Sequence, residues 1–251
     1  MTAAISAELF KLRTTRGPWI IGAALAALAI AALAFFAALV GDPGQPALLP
    51  AVLADLVRSP GKLAGAAALL LGLLLTTAEH RHRTVLTTRL AQPAVRTLVV
   101  SKWAAAALAG AALALTVEML MFAGGVALLA SRDVAVQPMD HGIPTAVGAV
   151  VVVAALHAVA GAGIGELLRN PALAVGAVLG WSFIAEGVVP ALLQDPQSGR
   201  WLPGGAVESA LSAGLPHDAA VLVPAAGLAL LAAYAAGLSL AGLSRAKLTD
   251  P

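Results

Sequence analysis

Six apolar stretches separated by charged segments dominate this 251-residue chain. They run Pro18–Val40, Lys62–Ala78, Trp103–Ala130, Pro144–Gly165, Pro171–Leu193 and Ala219–Leu243. A helix needs about 20 apolar residues to cross the roughly 30 Å hydrocarbon core of a bilayer. The second stretch, 17 residues closed by Glu79, is the shortest. Together they predict an all-α, polytopic membrane helical bundle with six transmembrane helices. Composition agrees: 60% of residues are hydrophobic and 11% charged, against about 45–50% and about 25% in soluble domains. Such a chain is not disordered, not a disulfide scaffold and unlike most soluble enzymes. With 0 Cys it has no disulfide, thiolate metal site or cysteine nucleophile. A net charge of +2 is too mild to argue for a nucleic-acid partner. Lys11, Arg13 and Arg16 precede the first span as in a secretory signal, but its apolar run exceeds the about 7–15 residues of a signal core, so it reads as a retained anchor. No stretch between spans is long enough for a soluble domain, which makes residues 1–251 a single transmembrane domain.

Positive charge sets the orientation. Eleven of the fifteen Lys and Arg residues fall on one side: Lys11, Arg13, Arg16, Arg81, Arg83, Arg89, Arg96, Lys102, Arg169, Arg245 and Lys247. Arg58, Lys62, Arg132 and Arg200 fall on the other, with Asp42, Asp55, Asp133, Asp140, Asp195, Glu208 and Asp218. Cations stay cytoplasmic during insertion, so both termini are expected in the cytoplasm of a multi-pass protein of the cytoplasmic (inner or plasma) membrane. Trp19 and Trp103 then lie at inner helix ends, where indoles favour the headgroup level. Gly161–Gly165 and Gly176–Gly180 have the GxxxG spacing of close helix pairs. The same spacing also arises by chance in a Gly- and Ala-rich chain.

Catalytic motifs are missing from the sequence. It has no Walker-A stretch for a nucleotide and no H-E-x-x-H. His80 and His82 are two apart, which points them to different sides of a helix, so no metal site is expected there. Three ionisable residues fall inside spans: Glu118, His157 and Glu186. Such groups are costly in hydrocarbon and usually face the bundle interior. Glu118 and Glu186 each lie sixteen residues beyond a cytoplasmic anchor, Lys102 and Asn170, hence roughly 24 Å along the helix and at similar depth. They are either hydrogen-bonded packing elements or part of a transport path.

Two cytoplasmic segments carry more pattern than a plain connection needs. In residues 1–17, Ile5, Leu9 and Leu12 form a narrow apolar stripe with Glu8, Lys11 and Arg13 as polar positions around it. It reads as an amphipathic helix lying on the inner leaflet, its cations toward anionic lipid. In the loop 79–102, Val85, Leu86 and Leu90 gather on one part of a helical circumference, Arg81, Thr84 and Thr88 on another, and Pro93 stops the helix. This pattern suits docking of a cytosolic partner, a simple charged anchor being the alternative.

Glu8…Lys11-Leu12-Arg13-Thr14-Thr15-Arg16, then Glu79-His80-Arg81-His82-Arg83-Thr84…Gln92-Pro93…Lys102, resembles the permease subunit of type-2 ABC (ATP-binding-cassette) exporters in its small six-span bacterial form. Gly165-Glu166-Leu-Leu-Arg169-Asn170-Pro171 and Trp181…Glu186…Trp201-Leu-Pro203-Gly-Gly also resemble the later part of such chains, so the likeness covers roughly residues 8–247. The sequence departs from the family pattern at His80, where an aromatic is usual, and at Arg83, where Gly is common. The resemblance implies a transport subunit, not an enzyme, with no cofactor of its own. ATP and Mg would be bound by a separate ABC ATPase subunit, and the permease would pair as a homodimer or with a second permease. Glu79, Arg81, His82, Arg83, Thr84, Arg89 and Pro93 would form the main ATPase-coupling loop, and Glu166 and Arg169 a second cytoplasmic contact. Within the external loop 194–218, the segment Trp201–Leu215, with Pro203, Gly204, Gly205 and Gly214, would be a partly buried hairpin. The small apolar spans suit lipid-like, peptide or drug-like cargo.

Two other classes compete. A proton-coupled secondary carrier would use Glu118 and Glu186 as its relay, although neither inverted repeats nor broken helices stand out. An intramembrane hydrolase would need His157 and the glutamates at one depth, and the spacing places His157 too low.

Overall fold

The computed structural model describes residues 1–39, 56–81, 84, 87–88, 90, 94–131, 142–213, 215 and 221–248. These residues are almost wholly helical, and no strand occurs among them. Helix α1 (Thr2–Thr14) is followed after one residue by α2 (Arg16–Leu39). Then come α3 (Gly61–Arg81), α4 (Val95–Ala130) and α5 (Ile143–Leu168). The fifth span is composite: α6 (Pro171–Gly180), a π turn (Trp181–Ala185) and α7 (Glu186–Leu193). A 3₁₀ turn (Pro196–Trp201), α8 (Pro203–Leu211) and α9 (Pro224–Leu248) complete the chain.

Six of these segments are long and apolar enough to cross a bilayer: Arg16–Ala38, Leu56–Arg81, Val95–Ala130, Ile143–Leu168, Pro171–Leu193 and Pro224–Leu248. The chain is therefore a multi-pass membrane protein, as its hydropathy requires. The second span is longer than its apolar run suggests, because Glu79, His80 and Arg81 continue the helix. At 36 residues, α4 reaches well past the bilayer thickness, and its first turns, which include Lys102, extend a helix the sequence starts at Trp103.

Helix α5 is the centre of the bundle and packs against α3, α4 and α9. Its contacts are made by small residues: Ala154, Ala158 and Ala162 are fully buried, as are Ala64, Ala68, Ala105, Ala106 and Ala114 on α3 and α4. In lipid no hydrophobic drive joins helices, so close backbone approach and van der Waals contact must do so. Gly161 lies so near Leu69 O, and Gly72 so near Ala158 O, that a Cβ on either would overlap backbone. The GxxxG pair Gly161–Gly165 is thus a packing seam. Its counterpart is not: among the described residues nothing stands within 4 Å of a Cβ on Gly176 or Gly180. The first and fifth spans are peripheral, with only 11% and 6% of their apolar windows buried.

Three features are not evident from the sequence pattern. Helix α1 does not present Glu8 as a surface group; Glu8 and Leu12 are its buried residues, because Ile5, Glu8, Leu9 and Leu12 share one face at i, i+3, i+4 and i+7. The segment after Trp201 contains a helix, α8, and its Ala206, Val207, Ala210 and Leu211 join the core. The fifth span carries a π turn that the sequence reading did not foresee, with Glu186 N–H bonded back to Trp181 O and Pro190 unable to donate to Glu186 O. Val40, Asp42, Asp55, Arg132, Asp133, Asp140, Gly214 and Asp218 lie outside the described residues.

Candidate functional site: an ionic cluster at the roots of two spans

Glu79 and Lys102 stand at the roots of the two helices that flank residues 82–94, and α1 brings Glu8 and Lys11 to them. Lys11 Nζ lies 2.8 Å from Glu8 Oε1 and 2.6 Å from Glu79 Oε1. Lys102 Nζ lies 2.6 Å from Glu79 Oε1 and 3.4 Å from both Glu8 oxygens. Two carboxylates and two ammoniums thus alternate around a neutral ring. Glu8, Glu79 and Lys102 are buried and Lys11 is half-buried. Partial burial alone would lower the Lys11 pKa, but the hydrogen bonds and charges of Glu79 and Glu8 outweigh it, and the net shift is upward. Charges withdrawn from water are tolerated only when each is paired, as here. The ring therefore fixes α1 against α3 and α4.

A second polar contact lies beside it. His80 Nε2 is 3.6 Å from Glu166 Oε2, linking the end of α3 to the end of α5. Glu166 is buried and turned toward the bundle. Arg169 follows at φ 54°, a left-handed residue that ends α5, and its Nε donates to Glu166 O at 3.4 Å. Asn170 then starts α6, its Oδ1 accepting from Ala172 N and Leu173 N.

Of the residues expected in the loop 79–102, Glu79 belongs to the buried ring, whereas Arg81 is exposed at the end of α3. Thr84 N donates to Glu79 O at 3.0 Å, and Thr84 O accepts from Thr88 N at 3.1 Å, so the chain turns directly after the helix. Leu90 is 83% exposed. Val85, Leu86, His82, Arg83, Arg89, Gln92 and Pro93 lie outside the described residues.

No hydrogen bond joins the intramembrane groups among the described residues. Glu118 is fully buried and neither carboxyl oxygen has a hydrogen-bond partner among the described residues. Glu186 Oε1 instead accepts from Trp181 Nε1 at 3.2 Å and from Gly204 N at 2.8 Å, tying the fifth span to the start of α8. His157 Nδ1 sits 2.9 Å from Val153 O, one turn back on its own helix. In the sequence Glu8 and Lys11 share the N-terminal segment, while Glu79 and Lys102 bound the loop 79–102, and no local pattern joins the two pairs. The available signal was Glu8 within the apolar face of α1, since a carboxylate there needs a cation from a neighbouring helix.

Compared with known proteins, the chain matches no family, no curated protein and no solved structure.

Proposed function

We propose that the chain is the transmembrane permease subunit of an ATP-driven ABC exporter, with both termini in the cytoplasm and a separate ATPase subunit docked beneath it. The observation that carries this assignment is the neutral ring of Glu8, Lys11, Glu79 and Lys102. It makes the roots of α3 and α4 and the N-terminal helix one mechanical unit. Force applied to residues 82–94 would then reach two spans at once instead of being absorbed at a loose hinge. Arg81 offers the ATPase an exposed cation at that loop, beside Arg83 and Arg89 in the sequence. The partner would hold ATP and Mg, and two permease copies, or this chain and a second permease, would enclose the path.

The test is purification of the tagged chain from its native membrane, identification of a P-loop ATPase in the complex, and reconstitution of both. Arg81→Glu should weaken ATPase retention at least about tenfold, roughly 1.4 kcal/mol, while insertion remains normal. Retention and ATP-driven transport equal to the parent would contradict the docking assignment.

Glu118 favours a second function, a proton-coupled carrier, because its buried carboxyl has no partner among the described residues and such groups mark proton paths. Glu186, engaged by Trp181 and Gly204, is not its hydrogen-bonded relay partner. Transport driven by a pH gradient with no ATPase present would select the carrier.

A further inference from the structure

A groove of about 460 Å³ lies at the elbow between α1 and α2. Thr15 alone separates the two helices, extended at φ −93° and ψ 147°. Two hydrogen bonds fix the bend: Thr15 N to Lys11 O at 3.0 Å, and Trp19 Nε1 to Arg13 O at 2.9 Å. Arg13 and Arg16 line the groove with the threonines between them in sequence. Both arginines are exposed, and no carboxylate among the described residues pairs with either. In this they differ from Lys11 and Lys102 close by, whose charges the ring neutralises. Trp19, Ile20 and Ala23 also line the groove. Trp19 and Ile20 are each 65% exposed, on a span with only 11% of its apolar window buried.

We propose that this elbow binds one anionic phospholipid, its phosphate between the Arg13 and Arg16 guanidiniums and an acyl chain along Trp19, Ile20 and Ala23. Guanidinium forks match the oxygens of a phosphodiester, and an indole at the head of a span sits at headgroup level. Two cations without a carboxylate partner among the described residues select a net negative headgroup, because a zwitterionic lipid would bring its own cation to them. Inorganic phosphate shares the anionic chemistry, but it would leave the apolar lining of Trp19, Ile20 and Ala23 without a partner, so the site is assigned to lipid.

The experiment uses the full chain in detergent, titrated with phosphatidylglycerol or phosphatidylcholine of identical acyl chains, with retained lipid read by native mass spectrometry. Phosphatidylglycerol should bind at least about tenfold more tightly than phosphatidylcholine. The double variant R13Q/R16Q should lose at least about tenfold of that affinity, and R245Q/K247Q, which removes equal charge elsewhere, should stay within about twofold. Thermal midpoints verify folding, and if the double variant unfolds, the single variants R13Q and R16Q carry the same comparison. Equal loss in both double variants would overturn the site in favour of diffuse charge. Equal binding of the two lipids, or displacement by millimolar inorganic phosphate, would also overturn it.

Discussion

Lys102 is only 3% exposed, yet it carries an ammonium between two carboxylates drawn from different helices. Removing it would leave Glu8 and Glu79 to share Lys11, with negative charge stranded out of water. Breaking a buried ion pair from one side costs about 3–5 kcal/mol, so Lys102→Met should lower unfolding stability in detergent by that order. Lys62, 3.7 Å from Glu208 in a pair more than half exposed on each side, is the control. Lys62→Met should cost less than about 1 kcal/mol. Equal costs for the two would mean that the ring does not hold α1 in place. Lys11 adds a pH signature. Its pKa in the folded chain is raised above the ordinary 10.5, so its contribution is complete below that value and is lost as pH rises through the higher folded one. As pH rises above the ordinary 10.5, the thermal midpoint of the parent should fall more steeply than that of Lys11→Gln. Parallel curves would show that Lys11 is not held by its carboxylates.

At the scale of the element, glycines with identical spacing have opposite roles. A methyl on Gly161 would overlap Leu69 O across the α3–α5 seam, whereas one on Gly176 meets open space. Gly161→Ala should therefore cost about 1–3 kcal/mol through forced separation of the helices. Gly176→Ala should be neutral or stabilising by up to about 1 kcal/mol from helix propensity alone. Detergent unfolding of the two variants checks this, and a similar loss in both would contradict the packing. Spacing could not distinguish them, since GxxxG records which residues share a helix face but not what covers that face. The six spans were legible because hydrocarbon thickness imposes a length and an apolarity that few other constraints mimic. The apolar run of the second span ended at Glu79 by hydropathy, but the helix continues to Arg81 because Glu79 finds cations in α1 and α4. Helix α8 and the π turn before Glu186 depend on tertiary contacts, Gly204 N to the Glu186 carboxylate among them, that no local pattern encodes.

Over the whole molecule, the ionic ring, the exposed Arg81 and the α1–α2 elbow lie at one end of the bundle. Glu8, Lys11, Glu79 and Lys102 were legible as residues of a resemblance spread along the chain, but their convergence needed the fold, because three helices supply them. The exporter assignment requires this end to face the nucleotide-containing compartment. A chain with 0 Cys allows a direct measurement: Arg81→Cys can be labelled with a membrane-impermeant maleimide in intact cells and in inverted vesicles. Labelling in inverted vesicles alone is the expected result. Labelling of intact cells would place the ring outside, where no cytosolic ATPase could reach it.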